Sequence, residues 1–189
     1  CLRVDPQHEF ARRDREDGGM DEERHMKICY LTHDLRHDYG SGVFSRRLIR
    51  GVRQAMDCEV AALTSEYAGV SYEKPLFVPQ RLGFARNFFR IRAIIRQYDI
   101  VHALDGFPYG AIAALTSLGL KKPLVITGLG SGAVLPFYHF FPGVMLKWSL
   151  RRASAITAIS RFTRDEMLKK APGLSIRVIN PGVDAEDFE

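Results

Sequence analysis

The sequence has few cysteines and no long hydrophobic run. Its three cysteines, Cys1, Cys29 and Cys58, are too few for a disulfide framework and have no Cys-x-x-Cys spacing, which indicates buried thiols in a reducing compartment. The longest apolar stretches, residues 107–120 and 133–146, are shorter than the roughly 18 residues of a membrane-spanning helix. Acidic residues interrupt the N-terminus, so it does not resemble a signal peptide. These absences argue against a disulfide-rich secreted scaffold and a membrane-spanning protein.

Charge is unevenly distributed along the 189 residues. Residues 1–25 hold five arginines against eight acidic residues, whereas the remainder carries a net charge of +8. The charged N-terminal segment has no helical or strand periodicity, which predicts a disordered extension. A basic body favours anionic partners such as nucleic acid, acidic lipid or phosphorylated small molecules. No aromatic and basic strand pattern of the RNA-binding kind is present, so we expect no nucleic acid partner.

From Met26 onward, short apolar runs alternate with helical patterns, which predicts a doubly wound α/β fold. Strands predominantly apolar in sequence and separated by helices indicate βαβ units around a mostly parallel sheet with helices on both faces. The predicted strands are 27–32, 58–63, 76–78, 99–104, 123–127, 155–159 and 176–180, and the predicted helices are 43–56, 84–98, 108–118, 143–152 and 161–170. Ligands of such sheets bind beyond the carboxyl ends of the strands, so the residues that follow each strand are the candidates.

The segment after the first strand contains Gly40, Ser41 and Gly42. Two glycines allow a close approach of the backbone, and the amides of the following helix start favour an anion. The alternative is a simple βα turn in which Ser41 caps the helix. His33 and Asp34 lie just upstream, where contact with a substrate is a better prediction than a metal site, because the segment is not helical.

A second glycine cluster includes Gly130 and Ser131 and follows the fifth strand. It matches a loose dinucleotide fingerprint, but Pro136 interrupts the helix and no acidic residue ends the next strand, where Ser160 follows. These residues are better explained as a loop lining a cleft.

Several segments together resemble the N-terminal domain of family 4 glycosyltransferases with the GT-B fold. Their order and spacing over residues 26–189 make the resemblance more specific than either glycine cluster. The segments are 27–32 followed by 40–42, 98–102 with 105–108, 124–127 with 130–131, 152–160 with 162–163, and 177–184 before Phe188. One departure is Leu129 before Gly130, where many members have histidine.

The resemblance implies the acceptor-binding half of a glycosyltransferase. In that family two Rossmann-like domains enclose a cleft, the second domain binding the nucleotide sugar; a segment like the one holding Asn180, Gly182 and Asp184 leads into it. The sequence ends soon afterwards, so we expect residues 26–189 to lack the donor-binding domain and to be inactive alone. The alternative is a non-catalytic binding module, or a half-enzyme whose partner chain binds the donor.

The resemblance also implies metal-independent hexosyl transfer, typically with retention, in which the nucleotide sugar is a co-substrate and no cofactor is needed. The Gly40–Gly42 segment would close on the phosphates or the sugar of the donor. The candidates for binding acceptor hydroxyl groups are His33, Asp34, His102, Asp105, Gly130, Ser131 and Ser160. Three of these have structural alternatives: His102 as a hydrogen-bonded sheet histidine, Asp105 as a turn former and Ser160 as a helix cap. No residue is assigned a catalytic role.

The predicted second helix is basic and amphipathic. Arginines flank its apolar stripe and Phe89 projects away from that stripe, a pattern found in helices that lie on anionic lipid. The residues concerned are Arg86, Phe89, Arg90, Arg92 and Arg96. The alternative is a helix covering the sheet with a solvated basic face. The apolar loop at residues 137–142 also fits a lipid-linked acceptor. We therefore expect a cytoplasmic protein on a glycan-biosynthesis route, peripheral at the inner face of a membrane.

Overall fold

The structure, a computed structural model, describes residues 25–76 and 83–182, without the side chains of residues 83–86. Several predictions fall wholly or partly outside the described residues. They are the disordered extension at residues 1–25 except for His25, residues 77 and 78 of the predicted third strand, the linker residue Asp184 and the Arg86 side chain.

Seven parallel strands form one sheet in the order β3-β2-β1-β4-β5-β6-β7. The strands are β1 Met26–Leu31, β2 Cys58–Thr64, β3 Glu73–Pro75, β4 Ile100–Leu104, β5 Leu124–Gly128, β6 Ala155–Ala158 and β7 Ile176–Val178. The chain winds outward from β1 to β3, crosses back to β4 and continues to β7. This architecture confirms the predicted doubly wound α/β fold.

Six α-helices connect the strands of the described chain. They are α1 Gly40–Ala55, α2 Gly83–Ile95, α3 Ala111–Thr116, α4 Ser131–Val134, α5 Phe140–Arg152 and α6 Arg161–Lys170. A tight turn with a cis Phe107–Pro108 peptide precedes α3, and a 3₁₀ turn at Leu135–Tyr138 joins α4 to α5.

Side chains that alternate along the strands build one core layer on each face of the sheet. On one face, Ile49 of α1 packs with Tyr30 and Leu104. On the other face, α2, α3, α5 and α6 cover a larger layer that includes the fully buried Leu146 and Met167. Cys29 belongs to this second layer, where burial raises the pKa of its thiol to about 12.

Two boundaries differ from the sequence prediction for identifiable reasons. The third strand was predicted at residues 76–78; the strand that the structure describes in this part of the chain is β3, which ends at Pro75, just before Leu76. Its first residue, Glu73, is buried and accepts hydrogen bonds from the Thr64 hydroxyl at 2.8 Å and from the Ala68 amide at 2.8 Å. These hydrogen bonds offset the cost of burying its carboxylate. α5 begins at Phe140 rather than Gly143, because a proline is compatible with the first turn of a helix.

Among the described residues, none of the helices combines the length and the apolar character needed to cross a lipid bilayer.

Candidate functional site

The carboxyl ends of the parallel strands place the predicted loops along one edge of the sheet. α1 follows β1 and packs on one face, whereas α3 follows the adjacent β4 and packs on the other. The loops after β1 and β4 therefore diverge and leave a crevice between them, the usual ligand position in such a fold. Residues 33–42 and 105–110 flank this crevice.

A hydrogen-bonded cluster centred on Tyr109 joins three of these loops. Its hydroxyl oxygen lies 2.9 Å from His33 Nδ1 and 2.9 Å from Ser65 Oγ. Tyr109 is buried, and this burial raises the pKa of its phenol. The His33 side chain is 51% exposed, so the cluster has one face accessible to a ligand. Sequence reasoning selected His33 and missed Tyr109 and Ser65; their positions just after β4 and β2 were the available signal.

Asp34 lies fully buried beneath the start of α1. Its Oδ1 atom accepts the Arg36 amide at 3.0 Å. Its Oδ2 atom has no hydrogen-bond partner among the described residues and lies 3.7 Å from His33 Nε2. A Cβ atom on Gly42 would lie 2.1 Å from Asp34 Oδ1. Gly42 is thus required because the carboxylate and the helix backbone approach closely.

The Gly40–Gly42 segment is the first turn of α1 and not a loop before it. Tyr39 occupies the N-cap position, and no side chain makes a capping hydrogen bond, so the predicted Ser41 cap is wrong. The first-turn amides of an α-helix have no acceptor within the helix. The carboxylate of Asp34, packed against Gly42, supplies negative charge at this positive helix end.

Arg36 connects the loop after β1 to the loop after β2. Its guanidinium donates to Asp38 at 2.7 Å and to Glu66 at 2.5 Å, and it lies over the Tyr39 ring. The hydrogen bond from Arg36 lowers the pKa of the Asp38 carboxyl. The rim of the crevice next to α1 is therefore held by ion pairs.

Asp105 ties the loop after β4 to the loop after β5. Its backbone has a φ of +136°, a strained value for a residue other than glycine. Its carboxylate accepts the Gly106 amide at 2.8 Å and the Leu129 amide, and it packs directly on Gly132. Burial raises its pKa. This geometry favours the turn-forming alternative over direct contact with an acceptor.

His102 lies within β4, two residues before the strand ends, and so is not brought to the crevice. Its Nε2 atom lies 2.7 Å from Thr127 Oγ1, which in turn lies 2.7 Å from Thr157 Oγ1. Its ring packs near Tyr30, and burial lowers its pKa to about 4. The alternative of a hydrogen-bonded sheet histidine describes this position.

The remaining predicted residues lie at the ends of β5, β6 and β7. Gly130 has a φ of +110°, and the exposed Ser131 begins α4. Ser160 caps α6 by accepting the Thr163 amide at 3.1 Å, as its structural alternative predicted. Asn180 donates to the Ile159 carbonyl at 3.1 Å, which fastens the segment containing Gly182 to the end of β6.

α2 presents a second candidate surface. Phe89 is 70% exposed, and Arg90 and Arg96 are exposed beside it. Arg92, in contrast, donates to the Thr116 and Leu118 carbonyls at 2.8 and 2.7 Å, so its guanidinium is engaged by the end of α3. Phe88, Phe89 and both leucines at 115 and 118 line a shallow groove of about 370 Å³ between α2 and α3.

No group of three or more histidine, cysteine, aspartate or glutamate side chains is positioned to hold a metal ion within residues 25–76 and 83–182. The absence of a metal and of a cofactor from the reaction remains a prediction.

Comparison with known proteins gives a consistent pattern. A family model described as Glycosyltransferase Family 4 matches residues 39–187. The fold matches Anabaena Alr3699/HepE in complex with UDP-glucose (TM-score 0.63, 18% identity) and Acinetobacter baumannii MurG (TM-score 0.53, 13% identity). These matches cover 85% and 82% of this chain but 45% of each of those chains, so it spans less than half of their length. None of the curated proteins compared with the sequence matches it.

Proposed function

The chain belongs to glycosyltransferase family 4, and we propose that it is the acceptor-binding half of a metal-independent enzyme that transfers a hexose from a nucleotide sugar. The family match covers most of the described sheet, including β2 to β7. The resemblance predicted from the sequence is thereby confirmed at the level of family and fold.

The donor in this proposal is a nucleotide sugar, such as the UDP-glucose bound to HepE. The chain aligns with 45% of the HepE chain, and we propose that a second Rossmann-like domain, absent from these residues, supplies the donor site. Asn180, Gly182 and Asp184 would then lie in the linker between the two domains.

The observation that carries the acceptor assignment is the Tyr109 cluster in the crevice. The His33 imidazole and the hydroxyls of Tyr109 and Ser65 can each donate and accept hydrogen bonds. Such a set matches the hydroxyl groups of a sugar, which also donate and accept. Asp34 completes it with a buried oxygen that has no partner among the described residues. We propose that His33 contacts an acceptor hydroxyl group directly. Tyr109, Ser65 and Asp34 would then hold the His33 imidazole ring in position.

The first turn of α1 faces the donor in this arrangement. Its open amides attract negative charge, but the nearby Asp34 carboxylate already balances the helix end. Gly40, Ser41 and Gly42 could contact either the sugar or the diphosphate of the donor. Because Asp34 already supplies negative charge at this helix end, we propose contact with the sugar. The negative charge of the leaving nucleotide would then be stabilised mainly by the second domain.

An alternative arrangement leaves this chain without catalysis of its own. The same crevice would serve a binding module, or a half-enzyme whose partner chain holds the nucleotide sugar. Both arrangements predict that the chain alone binds an acceptor sugar and transfers nothing.

A lipid-linked acceptor would place the protein at a cytoplasmic membrane surface, with a role in glycan biosynthesis. The exposed Phe89 and Arg90 of α2, and Arg96 directly after it, support contact with anionic lipid. We do not include Arg92 in this lipid contact, because its guanidinium is hydrogen-bonded to carbonyl groups at the end of α3.

The test is a titration of the ¹⁵N-labelled chain with glucose and, separately, with UDP-glucose. We expect glucose to shift the amide signals of His33, Ser65 and Tyr109. A Tyr109→Phe variant should weaken this response, whereas Tyr138→Phe, a matched change at an exposed tyrosine, should not.

Two outcomes would count against the proposal. Glucose shifts confined to other regions of the sheet would remove the acceptor site from the crevice. Multiple turnovers of sugar transfer from UDP-glucose by this chain alone would remove the half-enzyme assignment.

A further inference from the structure

The start of α5 carries a cluster of exposed apolar side chains. Phe140 is 90% exposed, Phe141 67% and Val144 52%, and the preceding turn adds Leu135 at 59% and Tyr138 at 61%. We refer to these five residues as the α5 tip. An exposed group of large apolar side chains this dense marks an interaction surface on a soluble domain.

The segment that carries the α5 tip contains only basic charges, and Glu166 of the neighbouring α6 is ion-paired with Lys169, which lies near Tyr138. Residues 106–164 contain no aspartate or glutamate, but they contain seven lysines and arginines. Lys147 and Arg151 are exposed, and neither has an ion-pair partner within the described chain. Lys170 lies with its ammonium group 4.4 Å from the centre of the Tyr138 ring. The partner of this surface must therefore tolerate both apolar insertion and dense positive charge.

Helical geometry orders these features along α5. Phe140, Val144, Lys147 and Arg151 follow one another at spacings of four, three and four residues, which places them on one side of the helix. At 1.5 Å per residue, Lys147 lies about 10 Å and Arg151 about 16 Å from Phe140 along the axis. The exposed side is thus apolar at its start and basic towards its end.

We propose that the α5 tip inserts into a membrane leaflet that contains anionic lipid. Amphipathic segments bury apolar side chains about 5–10 Å into the boundary between headgroups and acyl chains. With Phe140 at that depth and α5 inclined to the surface, Lys147 and Arg151 reach the layer of lipid phosphates.

Charge distinguishes this partner from the other candidates. A second copy of the chain would bring a second cationic surface against the first, which is unfavourable. A second domain would cover the phenylalanines without any need for the exposed basic side chains Lys147 and Arg151 along α5. An anionic bilayer satisfies both the exposed rings and the basic side chains.

The α5 tip is separate from the α2 surface, and binding to lipid requires no sugar transfer. A negative result for this inference therefore leaves the glycosyltransferase proposal intact, and the reverse also holds.

The experiment is co-sedimentation of the full chain with vesicles of phosphatidylcholine, with or without phosphatidylglycerol. The variant is Phe140→Ser/Phe141→Ser, and the matched control is Phe162→Ser, at a phenylalanine of α6 that is 72% exposed. Thermal unfolding monitored by circular dichroism verifies that each variant folds. Trp148, the only tryptophan, lies on α5 and reports binding through its emission spectrum.

We expect the wild-type chain to sediment with the acidic vesicles and to shift the Trp148 emission. The double phenylalanine variant should partition at least about tenfold more weakly, since two rings lose their burial. Phe162→Ser should bind like the wild type. Lys147→Gln/Arg151→Gln should weaken the preference for acidic over neutral vesicles, and the matched Arg90→Gln/Arg96→Gln variant should leave the contribution of the α5 tip in place.

Three results would overturn the inference. One is binding of the double phenylalanine variant at wild-type strength. Another is an equal loss in Phe162→Ser, which would indicate general stickiness. The third is a dimer in light scattering that the double phenylalanine variant converts to a monomer without any effect of vesicles, because the tip would then belong to a second copy.

Discussion

Replacing Gly42 by alanine tests whether Asp34 and α1 are as tightly packed as the structure indicates. A Cβ atom at this position would lie 2.1 Å from Asp34 Oδ1, 2.5 Å from the Arg36 carbonyl oxygen and 2.8 Å from the Arg36 amide nitrogen. Two of these neighbours are backbone atoms, so rotation of a side chain cannot relieve the overlap.

The expected destabilisation is large for one methyl group. Ordinary contact begins at about 3.4 Å, so either Asp34 or the first turn of α1 must move by about 1.3 Å. Overpacking, together with loss of the hydrogen bond from the Arg36 amide to Asp34, gives a decrease of about 2–4 kcal/mol in the free energy of unfolding.

Gly51 provides a matched control in the same helix. It is exposed, and a Cβ atom there would have no neighbour within 4 Å. Gly51→Ala should stabilise the protein by about 0.5–1 kcal/mol, because alanine loses less backbone entropy in a helix. Urea unfolding of both variants gives the measurement. If Gly42→Ala were as stable as Gly51→Ala, the close packing of Asp34 against α1 would be refuted.

Three further outcomes are expected in the same unfolding assay. Tyr109→Phe should lower the free energy of unfolding by about 1–2 kcal/mol, because His33 and Ser65 lose the hydroxyl group to which both are hydrogen-bonded. An unchanged value would mean that the cluster is not formed in solution. Burial lowers the pKa of His102 to about 4 in the folded chain, so the unfolded chain binds a proton first as the pH falls below about 6.5. The free energy of unfolding should therefore decrease by about 2 kcal/mol between pH 7 and pH 5, and His102→Gln should remove most of this pH dependence. Arg92→Gln should cost about 1–2 kcal/mol by freeing two carbonyls of the α3 end, whereas the exposed Arg90→Gln should stay within about 0.5 kcal/mol; equal effects would contradict the assigned hydrogen bonds.

The order of elements could be predicted from the sequence because buried parallel strands have a strong apolar signature. β1, β2, β4, β5 and β6 each fall within two residues of the predicted bounds, and the predicted bounds of α6 are those observed. β3 could not be placed in this way. It is a short edge strand whose buried Glu73 depends on partners in the preceding loop, and such hydrogen bonds leave no periodic pattern.

The candidate site was predictable in position but only partly in composition. Parallel strands direct attention to the residues after each strand, and this reasoning found His33, Asp34 and Asp105. It could not tell that Asp105 is engaged by two backbone amides, since those amides come from two different loops. It also could not find Tyr109, because an aromatic residue in the first turn of a predicted helix is most often core.

The pairing of β1 with both β2 and β4 has a consequence for synthesis on the ribosome. β2 follows β1 by about thirty residues, but Ile28 pairs with Ile100, 72 residues later in the chain. At a synthesis rate of about 5–20 residues per second, β4 is made roughly 4–14 seconds after β1, and until then the edge of β1 that pairs with β4 has no partner strand. Throughout that interval, the nascent chain displays an unpaired apolar strand that a chaperone can bind or a neighbouring chain can capture.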